Sequence, residues 1–211
     1  MFIMIRNLIF DFDGTIADSM DEMLKIVNDN AEKYGFKRLS HKKIRFLMGK
    51  GAKYLINYLK VPKYKIPFLM QELREKISSK VPDLKPFESI PMTLKKLHKR
   101  KFRLGILTSN SRDNVEIFLK NKSLEVFDFI YHGSSLFGKD RMLNKMLKEQ
   151  KLEKSETAYV GDEDRDLEAA KKVGLTSIAV TWGFNSKKLL QSVKPDYLIE
   201  KPKDILSVIN K

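Results

Sequence analysis

The chain has 211 residues, no cysteine, 42% hydrophobic residues and a formal net charge of +14. That length suffices for one compact domain plus a modest insertion, and a chain of this size buries roughly 70% of its unfolded surface without metal or disulfide staples. The missing thiols exclude a disulfide framework, a thiolate metal site and a cysteine nucleophile and suit a reducing cytoplasm, while the basic excess favours anionic partners.

The apolar stretch from Met1 to Phe12 ends in Asp11 and Asp13 and has no small-residue cleavage site, so it reads as a buried strand rather than a signal peptide. No apolar run approaches the ~20 residues that a membrane-spanning helix needs. From residue 18 to 84 no convincing strand follows. Met20, Met23, Leu24, Val27, Ala31 and Tyr34 recur at helical spacing, and Ser19 with Glu22 forms a capping-box pattern. Further helices are predicted around 41–48, 52–60 and 66–79, punctuated by Pro62, Pro67 and Pro82.

Beyond residue 91 helical and strand patterns alternate. Strands are predicted at Phe102–Leu107, Thr157–Val160, Ser177–Val180 and, more weakly, Tyr197–Ile199. Val115, Phe118 and Leu119 share one helix face, as do Met142, Leu143, Met146 and Leu147, and a third helix ends at Gly174. Short continuous apolar runs suit strands buried on both faces of a parallel sheet. The expected fold is therefore α/β, with right-handed crossovers and an all-helical insertion after the first strand.

Three strand ends carry reactive side chains, and open parallel sheets bind ligands beyond those ends. Asp11-Phe12-Asp13-Gly14-Thr15 places two acids on the same side of the chain with Phe12 turned inward, and Gly14 permits a sharp turn. Two carboxylates so close are costly without a cation or clamped anion. Asp162 and Asp166 supply further carboxylates, a set that suits a hard oxygen-seeking metal such as Mg²⁺. Thr108 and Ser109 at another strand end, and Lys139 at a helix start, would compensate an anion. The parts add up to a phosphoryl-transfer site.

In order, Asp11 to Thr15, Thr108, Lys139, and Gly161-Asp162 with Asp166 resemble the four signature motifs of the haloacid-dehalogenase-like hydrolase superfamily. The resemblance implies a Rossmann-like parallel sheet core (1–17 and 85–211) with an inserted helical cap (18–84). It implies that Asp11 is the nucleophile, Asp13 the general acid and base, Thr108 a donor to the phosphoryl group, and Lys139 its neutraliser. Mg²⁺ would be held by Asp11, the backbone carbonyl of Asp13 and Asp162, with Asp166 either a direct ligand or a partner of one. Asp13 argues for phosphoryl transfer, because members acting on carbon–halogen bonds generally lack this acid.

Gly49-Lys50-Gly51-Ala52 with Leu55, Thr181-Trp182-Gly183-Phe184 and Lys194-Pro195-Asp196-Tyr197 are similar to the phosphoglycolate-phosphatase-like subgroup. Pro86-Phe87-Glu88-Ser89, where a Pro-Gly turn is usual, and Asp140 after Lys139, where proline is common, depart from it. Lys50, Ser109, Asn110 and Gly14 are candidate substrate contacts. The expected partner is a small phosphorylated metabolite, with 2-phosphoglycolate leading, acted on by a cytoplasmic monomer or homodimer. The alternatives are a phosphomutase on the same scaffold, a phosphoacceptor switch domain and a non-catalytic basic nucleic-acid-binding protein. Scattered lysines without interleaved aromatics weigh against the last.

Overall fold

The computed structural model describes residues 5–133 and 138–209. The chain opens with strand β1 (Asn7–Phe10) and the two-residue β2 (Ala17–Asp18), followed by helices α1 (Met20–Asp29), α2 (Ala31–Tyr34), α3 (His41–Met48), α4 (Ala52–Leu59) and α5 (Ile66–Lys80). It continues through β3 (Lys85–Pro86), α6 (Ile90–Lys99), β4 (Arg103–Thr108), α7 (Arg112–Asn121), β5 (Phe129–His132) and α8 (Lys139–Gln150). Last come β6 (Thr157–Gly161), α9 (Asp164–Val173), β7 (Thr176–Val180), α10 (Lys187–Ser192), β8 (Tyr197–Ile199) and α11 (Ile205–Val208).

Six strands form one sheet in the order β5-β4-β1-β6-β7-β8, and every pairing in it is parallel. Both faces are covered, as the unbroken apolar runs require. Leu8 and Phe10 of β1 join one apolar cluster with Leu104, Ile106, Val115 and Phe118, while Ile9 joins the opposite cluster with Leu107, Met146 and Tyr159. The chain leaves β1 toward β4 and β5, then returns to β6 on the other side of β1. This reversal creates the crevice where an open parallel sheet takes its ligand, beside the carboxyl end of β1.

Helices α1 to α5 form a separate layer with its own apolar cluster, including Leu24, Val27, Ile44, Leu47, Leu55, Leu59 and Leu69. Phe184, from the loop after β7, also enters this cluster and ties the layer to the sheet. The chain enters and leaves the layer through the antiparallel pair β2–β3, where Ala17 faces Pro86 and Asp18 faces Lys85. No described helix is long and apolar enough to cross a membrane.

Two local expectations fail. Ser19 precedes α1, but its hydroxyl makes no capping bond. Its backbone (φ −100°, ψ 2°) lacks the extended geometry that aims an N-cap oxygen at the helix amides. The sequence patterns also miss β5. This edge strand has only Phe129 buried and ends on exposed His132, so it presents no continuous apolar run.

Candidate active site

The site begins at the turn after β1. The Asp11 amide donates to Val160 O at 2.9 Å, extending the β1–β6 pairing by one residue. The Phe12 carbonyl then accepts from the amides of Ile16 and Ala17, both at 2.9 Å, which folds residues 12–17 into a tight loop. Phe12 itself is fully buried edge-on against Phe118. The acids on either side of it are thereby left at the sheet end, and both line one cavity of about 630 Å³.

Gly14 has φ +75°, and a Cβ there would collide with the Asp162 carboxylate. Glycine therefore satisfies both the left-handed backbone and the close approach. Gly183, in the loop after β7, abuts Asp162 in the same way. Two donors hold that carboxylate: Thr15 Oγ1 to Oδ1 and the Phe184 amide to Oδ2, each at 2.7 Å. Trp182 locks the same pair of loops, its indole Nε1 donating to Thr15 O at 3.1 Å.

Asp11, Asp162 and Asp166 are all buried, and each offers a carboxylate oxygen within 4.8 Å of the others. Lys139, the first residue of α8, stands 3.3 Å from Asp11 Oδ1 and 2.5 Å from Asp166 Oδ1. One ammonium does not balance three buried carboxylates. Burial first, then the charge of Asp166, holds the Asp11 carboxyl well above the usual range. Burial and neighbouring Glu163 do the same to Asp162. Burial also acts on Asp166, but Lys139 and Arg165 outweigh it and keep that group low. Lys139 is raised despite its burial because Asp11 and Asp166 favour its charged form.

Asp166 Oδ2 is buried without a hydrogen-bond partner. An orphaned oxygen facing two carboxylates with raised pKa values is the donor set of a hard divalent cation, which would satisfy all three.

Asp13 lies outside this triad. One of its oxygens accepts from Asn110 Nδ2, and the other is buried without a partner. Burial pushes its carboxyl up to about 6, against the opposing effects of Ser19 and then Asn110. A carboxyl poised there can give or take a proton near neutral pH.

The remaining candidates divide. Ser109 lines the cavity. Thr108 is buried at the end of β4, its Oγ1 accepting from the Asn110 amide at 3.0 Å. Asn110 reaches Asp13, and Gly14 makes room for Asp162, so both act on the acids rather than as lining. Lys50 lies apart from these residues. Its ammonium sits over the rings of Phe46 and Tyr54, 4.8 Å from each centroid, and the residue is exposed outside the cavity lining. Two aromatic faces compete successfully for a flexible cation on a two-glycine loop.

Some residues gained importance only in three dimensions. Arg165 lines the cavity and pairs with Glu163 at 2.5 Å. Asn185 accepts from the Asp164 amide at 2.8 Å and donates to Met48 O at 3.2 Å, bridging the sheet end to the helical layer. Arg74 of α5 is the sole charged group that helices α1 to α5 add to the described lining, among Met23, Leu55, Met70, Leu73 and Ile77. Its i+4 spacing from Met70, beside the Leu69–Leu73–Ile77 face, was the available signal.

Residues 8–180 match the family model of the haloacid dehalogenase-like hydrolases. The chain is 33% identical over 205 residues to a phosphoglycolate phosphatase of Synechococcus elongatus, covering 97% of both proteins. It is 24% identical to a phosphoglycolate phosphatase of Aquifex aeolicus, again covering 97% of each. A haloacid dehalogenase-like family hydrolase from Streptococcus pneumoniae superposes with a TM-score of 0.83 at 25% identity, over 98% of this chain and 99% of that one. With its motif residues gathered at one sheet end, the chain belongs to the haloacid dehalogenase-like hydrolase family of enzymes.

Proposed function

We propose that this enzyme hydrolyses a small phosphomonoester in two steps through an aspartyl-phosphate on Asp11. The observation that carries the reading is the unequal treatment of two neighbouring acids. Asp11 sits with Lys139 in the carboxylate triad, while Asp13 is displaced from it and poised near pH 6. In the first step an Asp11 carboxylate oxygen bonds to phosphorus as the ester P–O bond breaks, and the leaving oxygen takes its proton from Asp13. In the second, Asp13 takes a proton from water as that water displaces Asp11, releasing inorganic phosphate and restoring the Asp11 carboxylate and the protonated Asp13.

Lys139 holds Asp11 in place and offsets the negative charge that accumulates around phosphorus. Thr108 and Ser109, at the neighbouring strand end, orient the phosphoryl oxygens. Asp11, Asp162, Asp166 and the Asp13 carbonyl would hold Mg²⁺, which supplies charge neutralisation for the transferring group when bound. The donor chemistry supports this choice, since hard carboxylate oxygens suit Mg²⁺ and the chain has no thiol.

Residues 18–84 serve as a cap over the site in this reading, with 1–17 and 85–211 as the catalytic core. The cap wall is apolar except for Arg74, which suits a short substrate bearing a second anionic group. A phosphorylated carboxylic acid of the phosphoglycolate type meets that description, in keeping with the named activity of the Synechococcus relative. Its setting is the reducing cytoplasm.

The test is phosphate release from phosphoglycolate, sugar phosphates and nucleotides, with Mg²⁺ or with chelator. Chelator and Asp11→Asn should each abolish release, and Asp13→Asn should leave a phosphorylated protein detectable by intact mass. Wild-type turnover of every ester by Asp11→Asn sinks the reading. Isomerisation of a sugar phosphate without net phosphate release transfers the assignment to a mutase.

A further inference from the structure

The chain's basic excess is not evenly spread. Between Lys33 and Gln71 there are nine lysines and two arginines and not one aspartate or glutamate, so this stretch carries +11 of the total +14. It spans α3 and α4. Their apolar residues Ile44, Leu47, Leu55 and Leu59 are buried inside the helical layer, leaving a basic outer face. The ion pairs that bring carboxylates to this stretch, Lys33–Glu72 and Arg45–Asp21, draw their acids from outside it.

Aromatic rings occupy the same face. Phe46, Tyr54 and Tyr58 are 55%, 45% and 44% exposed, and Tyr64 and Phe68 farther along the acid-free stretch are more exposed still. Rings and ammonium groups alternate in space. Lys43 Nζ lies 4.7 Å from the Tyr58 centroid and 5.6 Å from that of Phe46, and Lys50 Nζ lies 4.8 Å from those of Phe46 and Tyr54. The path Tyr58–Lys43–Phe46–Lys50–Tyr54 therefore runs across two helices as a ring–cation–ring–cation–ring array.

We propose that this outer face of α3 and α4 is a docking surface for a single-stranded nucleic acid. A single strand alternates flat bases with phosphates, and stacking platforms interleaved with cations complement that alternation. Stacking on a ring needs an unpaired base, so a duplex can engage only the cations. An anionic lipid surface is the weaker match. The rings are separated by ammonium groups, two of the three carry hydroxyls, and the aliphatic side chains that would enter acyl chains point inward. Lysines and aromatics are not interleaved along the chain, but folding interleaves them across α3 and α4.

The test uses the full-length enzyme and fluorescently labelled oligouridylate of about 20 nucleotides, titrated by anisotropy at several salt concentrations. Binding should weaken linearly in log–log form with salt. Lys43→Gln with Lys50→Gln should flatten the slope by up to about 1.4, roughly 0.7 for each phosphate of a single strand that is no longer neutralised. Phe46→Ala with Tyr54→Ala and Tyr58→Ala should weaken binding at least about tenfold while leaving the slope in place. Phosphate release by these ring variants, whose residues lie outside the cavity lining, reports that the fold is intact. The proposal is overturned if ring removal changes nothing, or if a duplex of equal length binds as tightly. It is also overturned if the oligonucleotide fails to bind, whether or not phosphatidylserine vesicles are captured instead.

Discussion

Replacing Arg74 by methionine isolates how the organic end of the substrate is recognised. Methionine keeps the long unbranched shape and packs beside Met23 and Met70, so the cavity wall persists while its cation is removed. An ion pair at 4 Å in surroundings of effective dielectric ~20 is worth about 4 kcal/mol in Coulomb terms. Desolvation offsets much of that, and a hydrogen bond to a charged partner nets about 1.5–3 kcal/mol. At about 1.4 kcal/mol per factor of ten, kcat/KM for phosphoglycolate should fall roughly 10- to 150-fold. The loss should appear chiefly as a higher KM, because the carboxylate is held alike before and during phosphoryl transfer. p-Nitrophenyl phosphate carries no carboxylate and should lose less than about twofold. Steady-state kinetics on both esters, with urea denaturation as a check on folding, makes the comparison. Equal losses on both substrates, or none on either, would refute a carboxylate-reading role for Arg74.

Gly183→Ala drives a Cβ into the Asp162 carboxylate and should cost about 1–3 kcal/mol in urea titrations, with a weakened Mg²⁺ requirement curve, because a packed site has no room to yield. Glu72 joins Lys33, Lys76 and the Tyr34 hydroxyl, whose hydrogen bonds and charges lower its carboxyl from 4.5 to about 2. A depressed carboxyl stabilises the fold above its unfolded pKa and loses that contribution as pH falls through the folded one. The Lys33 and Lys76 side chains are 64% and 43% exposed, so solvent screening reduces the worth of the cluster to about 1 kcal/mol. Glu72→Gln should therefore lower stability by that amount at pH 7, with the difference from wild type shrinking between pH 4.5 and pH 2 in denaturant titrations. Phe118→Ala removes the ring that buttresses Phe12 and should cost about 3–5 kcal/mol by the same measurement.

Much of the sheet was legible because strands buried on both faces must be continuously apolar. The runs at 102–107, 157–160 and 177–180 fall within one residue of β4, β6 and β7. Edge strand β5 and the pair β2–β3 were not legible. Phe129 to His132 grades from buried through half-buried to exposed, with no apolar run, and Ala17 and Pro86 are paired only because the helical layer returns the chain to its point of departure. The acids of the site were legible as types, since Asp11, Asp13, Asp162 and Asp166 stand just beyond strand ends. The roles of their neighbours were less so. Asn110 bonds to Asp13 and Lys50 rests on two rings, contacts that no spacing along the chain announces.

By itself the sequence determined the fold class, the carboxylate pair around Phe12 and the lysine that opens α8, all features written in local periodicity and covalent spacing. Tertiary structure alone decided that Lys139 is shared between Asp11 and Asp166, that Thr15 and Phe184 clamp Asp162, and that Arg74 lines the same cavity as Asp11 and Asp13. The physical reason is common to all three. Side-chain charges and hydrogen bonds act over a few ångströms of space, and only the parallel sheet brings distant strand ends within that range.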